Sequence, residues 1–233
     1  MAPLLYLVRY DAHHIRDATL TEVGKEQCAR FQRTFPLRNV IDLVHSSPLR
    51  RAIQNTILSF GPALARAEVP LLLVPNAQEV SSKTYHVGLA SEDLQMKVAE
   101  LFEGQQLPFD IKKIDYRLVS DNWNSKVGFW APQREEVEKR AAALHSWLYT
   151  LPEMHVLLVT HGTFLHYLTE DWTGDDPKRG TAYLNCEVRQ FSFAHGSDVK
   201  KAHIVETEGG KKLRRSNTTE TDSSILAEVA AVK

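Results

Sequence analysis

The chain has only two cysteines and three methionines, and in 233 residues no apolar stretch approaches the roughly 20 needed to cross a bilayer. Cys28 and Cys186 are too few for a disulfide framework and stand at no metal-ligand spacing, which fits a reducing compartment and makes a soluble, cytoplasmic protein the expectation. Excess charge of one sign is also missing. The 28 Lys and Arg residues against 29 Asp and Glu leave a formal net charge of −1. Such a chain has no field to gather nucleic acid or a membrane surface, so any ligand must be chosen by a local site. The apolar run at residues 4–8 has no basic region before it and is cut short by Arg9, which reads as a buried strand and not a signal peptide. Internal repeats are absent.

What is present is an alternation of strand, polar turn and helix. Continuous apolar runs at residues 4–8, 40–44, 71–74 and 156–160 are expected to be strands covered on both faces. Thr21 is placed to cap a helix that Pro36 closes, and Ser46-Ser47-Pro48 is placed to start a second helix, ending near Phe60 before Gly61-Pro62. Further helices are expected over residues 133–150 and 163–172, with flanking strands at 187–193 and 203–206. Residues 76–132, broken by Gly104, Pro108, Gly128 and Pro132, read as an inserted helical and irregular lobe. The expected fold is therefore α/β: a three-layer sandwich with a mainly parallel central sheet, helices on both faces and an inserted lobe, in a single domain over residues 1–207. Residues 208–233 read as a mobile tail, in which 225–232 could form a docking helix.

Open α/β sheets bind ligands in the crevice at the carboxyl ends of their strands. There the sequence places Arg9 after the first strand, Arg50 and Arg51 after the second, Glu79 after the third and His161 after the fourth. The guanidinium fork suits phosphate or carboxylate oxygens, a helix beginning at Pro48 adds backbone donors, and Glu79 is placed to give or take a proton. His13, His14, His86 and His161 show no zinc-like spacing, so no metal is expected, and no cofactor is implied.

Several motifs carry a resemblance to the histidine phosphatase, or phosphoglycerate mutase-like, superfamily. Leu7-Val8-Arg9-Tyr10 resembles its Leu-Val-Arg-His motif, and Leu20-Thr21-Glu22-Val23-Gly24-Lys25-Glu26-Gln27 its Leu-Thr-Glu-x-Gly-x-x-Gln helix start. Ser47-Pro48-Leu49-Arg50-Arg51-Ala52 is similar to the second arginine motif, and Val159-Thr160-His161-Gly162 to the late histidine motif. Leu168-Thr169-Glu170-Asp171-Trp172 and Asn185-Cys186-Glu187-Val188-Arg189 resemble a fungal branch of these proteins. The resemblance implies an oxyanion pocket of Arg9, Arg51 and His161, with Glu79 as the acid; it matches the second arginine of the Arg50-Arg51 pair, which leaves Arg50 as the solvated partner of Arg51.

Tyr10 then stands where the family keeps its phosphorylated histidine. A phenol with a pKa near 10 cannot replace imidazole as a readily hydrolysed phosphoryl carrier. Further departures surround it: Asp11 for a small residue, Ile15 and Arg16 for a His-Asn pair, and Tyr85, His86, Val87 and Gly88 where the fungal branch reads Cys-Asp-Thr-Gly. The leading expectation is accordingly a retasked, cofactor-independent enzyme acting on a small anionic or carbonyl substrate by isomerisation, dehydration, cyclisation or hydrolysis, in the setting of fungal natural-product tailoring. Tyr10, Glu79, His86 and His161 would move protons, while Arg9, Arg51, His14, Tyr85 and Trp123 would bind substrate. A phosphomonoesterase working through His161 or a loop histidine is the alternative, and a non-catalytic binding protein the third reading. Neither nucleic acid nor membrane is an expected partner, and homo-oligomerisation is left open.

Overall fold

The computed structural model describes residues 2–8, 15–171 and 186–213. Arg9, Tyr10, His13 and His14 lie outside the described residues. The apolar runs form a parallel core of strands: β1 (Leu4–Val8), β2 (Leu43–Ser46), β3 (Leu71–Leu73), the short β4 (Ile114–Asp115) and β5 (His155–Val159). Antiparallel strands β6 (Val188–Phe193) and β7 (Ile204–Glu206) extend it on one side, giving a seven-stranded sheet in the order β4-β3-β2-β5-β1-β6-β7.

Alternation along the strands divides the core into two layers. Tyr6, Val8, Leu157 and Val159 pack with residues of α1 (Glu22–Thr34), α2 (Arg50–Leu64) and α3 (Ser91–Glu100), whereas Leu5, Leu7, Val156 and Leu158 pack with α4 (Arg134–Tyr149) and α5 (Gly162–Thr169). The expected three-layer α/β sandwich is thus the architecture found. No helix among the described residues is long and apolar enough to cross a membrane.

Local chemistry explains most of the helix boundaries. Thr21 caps α1 as expected, its hydroxyl accepting from Gly24 N at 3.0 Å. The start of α2 differs: Leu49 is the cap residue and offers no side-chain cap. Asp17 substitutes from a distant turn, its Oδ1 accepting from Arg50 N at 3.0 Å. Nor does α2 stop before Gly61-Pro62. Pro62 has no N–H for the carbonyl of Leu58, and Gln32 Nε2 of α1 donates to that carbonyl at 2.9 Å, so the helix continues to Leu64. β2 begins at Leu43 rather than residue 40, because Asp42 is engaged at both backbone and carboxylate by His155, ahead of the ladder.

The inserted lobe is joined to the sheet. Its Ile114 and Asp115 pair with Leu71 and Leu72 to form the edge strand, while Phe102, Phe109 and Trp123 share the α1–α2 core. At the other end, six residues expected to open a mobile tail form α6 (Glu208–Leu213). Thr207 anchors it to β6: its N–H donates to Gln190 O at 2.9 Å, and its hydroxyl donates to Gln190 Oε1 at 2.8 Å and accepts from Gly210 N at 2.9 Å. Residues 225–232 lie outside the described residues.

Candidate functional site

The carboxyl ends of the parallel strands are pinned into one rim by backbone hydrogen bonds. Thr160 N donates to Val8 O, Ser47 N to Val159 O, and Val74 N to Ser46 O, at 3.1, 3.0 and 2.8 Å. Four strand ends are thereby held together where the sequence placed its cations and imidazole.

Arg51 lies in the first turn of α2 and is 3% exposed. Its Nη1 donates to Tyr85 O at 2.6 Å, and its Nη2 lies 3.2 Å from His161 Nδ1. A guanidinium can only donate, so Nδ1 of His161 must accept and the ring proton must sit on Nε2. Nε2 in turn lies 2.8 Å from Ser47 Oγ, which receives that proton's hydrogen bond. His161 is therefore fixed as a neutral ring with both nitrogens engaged. Burial, followed by the charges of Arg51, Lys126 and Arg140, holds its pKa well below the ordinary histidine value.

Glu79 is oriented by the helix that follows His161. Its Oε1 accepts from Val80 N at 2.9 Å and from Phe164 N, in the first turn of α5, at 3.1 Å. A carboxylate at a helix N-terminus is favoured by the unpaired N–H groups there. The inserted lobe secures the same segment: Gln78 Nε2 donates to Trp123 O and Lys126 Nζ to Glu79 O, both at 2.6 Å. Beneath it, the fully buried Arg140 donates to Gln78 O at 3.0 Å and places its guanidinium 4.6 Å from the Phe164 ring centre. Burial lowers the Arg140 pKa to about 10, with the negative charge of Glu79 opposing the shift.

His86 completes the cluster. Its Nδ1 lies 2.7 Å from Ser81 Oγ, and its ring meets Tyr85 edge-on at 4.3 Å. Burial first, then Arg51, Lys126 and Lys83, depress its pKa strongly, so it is neutral across the physiological range.

Of the residues selected from sequence, Arg51, Glu79, His86, His161 and the Tyr85 carbonyl are brought together. Arg9, Tyr10 and His14 lie outside the described residues. Trp123 has no exposed surface with which to line a pocket: it packs under Gly88, where an added Cβ would lie 2.2 Å from Cη2. Arg50 is not a solvated partner of Arg51. Its guanidinium donates to Asp17 O at 2.8 Å and pairs with the buried Asp17 carboxylate at 3.4 Å, tying residues 16–17 to α2. Sequence reasoning missed Ser47 as a ring partner, Lys126 and Arg140. Ser47 stood in a quoted motif, but Lys126 and Arg140 carry no local signal beyond a charge inside a loop and a helix. Among the described residues, no group of three or more His, Cys, Asp or Glu could hold a metal.

This geometry can hold an anion with fixed donors and move a proton at its edge. The chain is 26% identical over 235 residues to phosphoglycerate mutase-like protein 1 of Arabidopsis thaliana, covering 87% of this chain and 79% of that one. It is 21% identical over 194 residues to a probable phosphatase of Schizosaccharomyces pombe, covering 80% and 83%. The fold matches a phosphoglycerate mutase from Bacillus anthracis with a TM-score of 0.51 at 17% identity, covering 98% and 97% of the two chains. A mycobacterial glucosyl-3-phosphoglycerate phosphatase in complex with VO3 gives 0.51 at 19% identity, covering 88% and 97%. The family model for the histidine phosphatase superfamily, branch 1, matches residues 11–204, and the chain belongs to that superfamily.

Proposed function

We propose that the chain binds the phosphoryl group of a small phosphomonoester at the Arg51–His161 pair and hydrolyses it. The observation that carries this reading is the 3.2 Å contact between a buried guanidinium and a neutral, donor-fixed imidazole at the carboxyl edge of the sheet. Arg51 would hold the non-bridging oxygens. The positive charges of Arg51, Lys126 and Arg140, which add to burial in holding the His161 pKa down, would stabilise charge developing on the phosphoryl group. Water would attack phosphorus as the bond to the leaving oxygen breaks, and Glu79, oriented by two backbone N–H groups, would carry a proton taken from solvent to that oxygen. The superfamily and the phosphatase and mutase relatives support this reading.

Tyr10 favours a second reading. Without the family's nucleophilic histidine, the same anion pocket could hold a carboxylate or enolate of a natural-product-like substrate, while Tyr10, Glu79 and His86 move protons. Phosphate release from a panel of phosphomonoesters, compared among the natural protein, Tyr10→His and His161→Ala, separates the two. Turnover by the natural protein that disappears in His161→Ala supports the phosphatase. Silence relieved only by Tyr10→His selects the second reading, and vanadate binding without turnover in any form would mark a binding protein.

A further inference from the structure

Away from this site, the chain's two cysteines meet in the core. Cys28 faces inward from α1, and Cys186 sits just ahead of β6, with its backbone in the left-handed region at φ 55°. The side chain of Asn55, from α2, joins them: its Nδ2 donates to Cys28 Sγ at 3.3 Å and to Cys186 Sγ at 3.8 Å. Asn55 itself is fully buried, so one amide group holds both sulfurs in a fixed place. Cys186 lines a cavity of about 570 Å³ together with Phe31, Phe35 and Glu187.

We propose that Cys28 and Cys186 are a reversible disulfide-forming pair, oxidised by a small peroxide that enters through the cavity at Cys186. Neither sulfur belongs to the anion site, and the inference does not depend on the reaction catalysed there. Cys186 loses its proton, the thiolate attacks one peroxide oxygen and the O–O bond breaks, giving a sulfenic acid and hydroxide, which takes up the released proton to become water. Cys28 thiolate then attacks the Cys186 sulfur and expels hydroxide, which takes up the proton Cys28 released. Two thiols and one hydrogen peroxide give one disulfide and two waters. Cys28 is prepared for the second step: hydrogen bonds with Cys186 and Ser59 draw its thiol below the ordinary range, against the opposing effect of burial. The bond would tie α1 to the chain entering β6, alongside α2 and its Arg51.

The test treats the full chain with hydrogen peroxide, blocks remaining thiols with N-ethylmaleimide in denaturant, and maps unreduced tryptic peptides by mass. The expected product joins peptide 26–30 to peptide 180–189, with loss of two hydrogens, and is reversed by dithiothreitol. Asn55→Ala, checked for folding by circular dichroism, should slow its formation about tenfold while both thiols remain alkylatable before oxidation. Sulfinic acid on Cys186 with Cys28 still alkylated, or cross-links only between chains, would overturn the proposal.

Discussion

Arg51 Nη2 and His161 Nδ1 lie 3.2 Å apart, and the contact sets both the tautomer of the ring and its charge. Replacing Arg51 with Met removes the largest charge that holds the His161 pKa down. The His161 resonances followed by NMR should then titrate at higher pH than in the natural protein. Charge-assisted hydrogen bonds of about 1.5–3 kcal/mol leave with the guanidinium, so vanadate or phosphate should bind on the order of 10- to 100-fold more weakly. An unchanged His161 titration in this variant would contradict the assigned contact.

Lys126 tests whether the inserted lobe takes part in the site. Its ammonium donates to Glu79 O at 2.6 Å and lowers the pKa of both His86 and His161. In Lys126→Met both histidines should titrate higher, and an anion should bind on the order of tenfold more weakly, the loss expected for one charged hydrogen-bonding group. Measuring vanadate affinity at two salt concentrations adds a control. Removal of a cation should reduce the salt dependence of binding, whereas simple loss of packing would leave it unchanged.

Gly88 and Trp123 give a packing test of the same region. A Cβ at position 88 would meet Trp123 Cη2 and Cζ2 at 2.2 and 2.4 Å, and Gly88 O accepts from Arg16 and Asn124. Gly88→Ala should cost about 1–3 kcal/mol through overpacking. Trp123→Phe removes the two offending atoms, so in that background the same change should cost clearly less. Additive losses in urea unfolding would show that the clash is relieved elsewhere.

These contacts also mark where sequence reading stops. Strands β1, β2, β3 and β5 were legible because their apolar runs are unbroken, and α1 because Thr21 lies beside the helix it caps, whereas the two-residue β4 carried no such run. The cap of α2 was not, since Asp17 stands 33 residues before the Arg50 N–H it accepts. Pro62 pointed to a helix end, and only the folded arrangement brings Gln32 to the Leu58 carbonyl it orphans. In the site, Arg51, Glu79 and His161 stood at strand ends, where α/β topology gives a residue meaning. Lys126 reaches the site from a loop 47 residues beyond Glu79, and Trp123 looked like pocket lining because its aromatic character is visible in sequence while its burial is not.

His45 offers the plainest stability prediction. It lies wholly inside the second layer, stacked on Trp147 at 4.9 Å, and neither ring nitrogen has a hydrogen-bond partner. Burial, with a smaller contribution from Arg117, lowers its pKa to about 3. The unfolded chain, with an ordinary histidine pKa near 6.5, therefore binds the proton first as pH falls, and stability should decline from about pH 6.5 toward pH 3. His45→Leu removes two desolvated nitrogens from an apolar setting and should raise stability by about 1–2 kcal/mol at pH 7. Because the substituted side chain cannot take up a proton, the gain over the natural protein should widen as the solution is acidified. Urea unfolding at pH 7 and pH 5 reads both effects, and a gain that stays constant between them would mean that His45 is protonated inside the fold or hydrogen-bonded there.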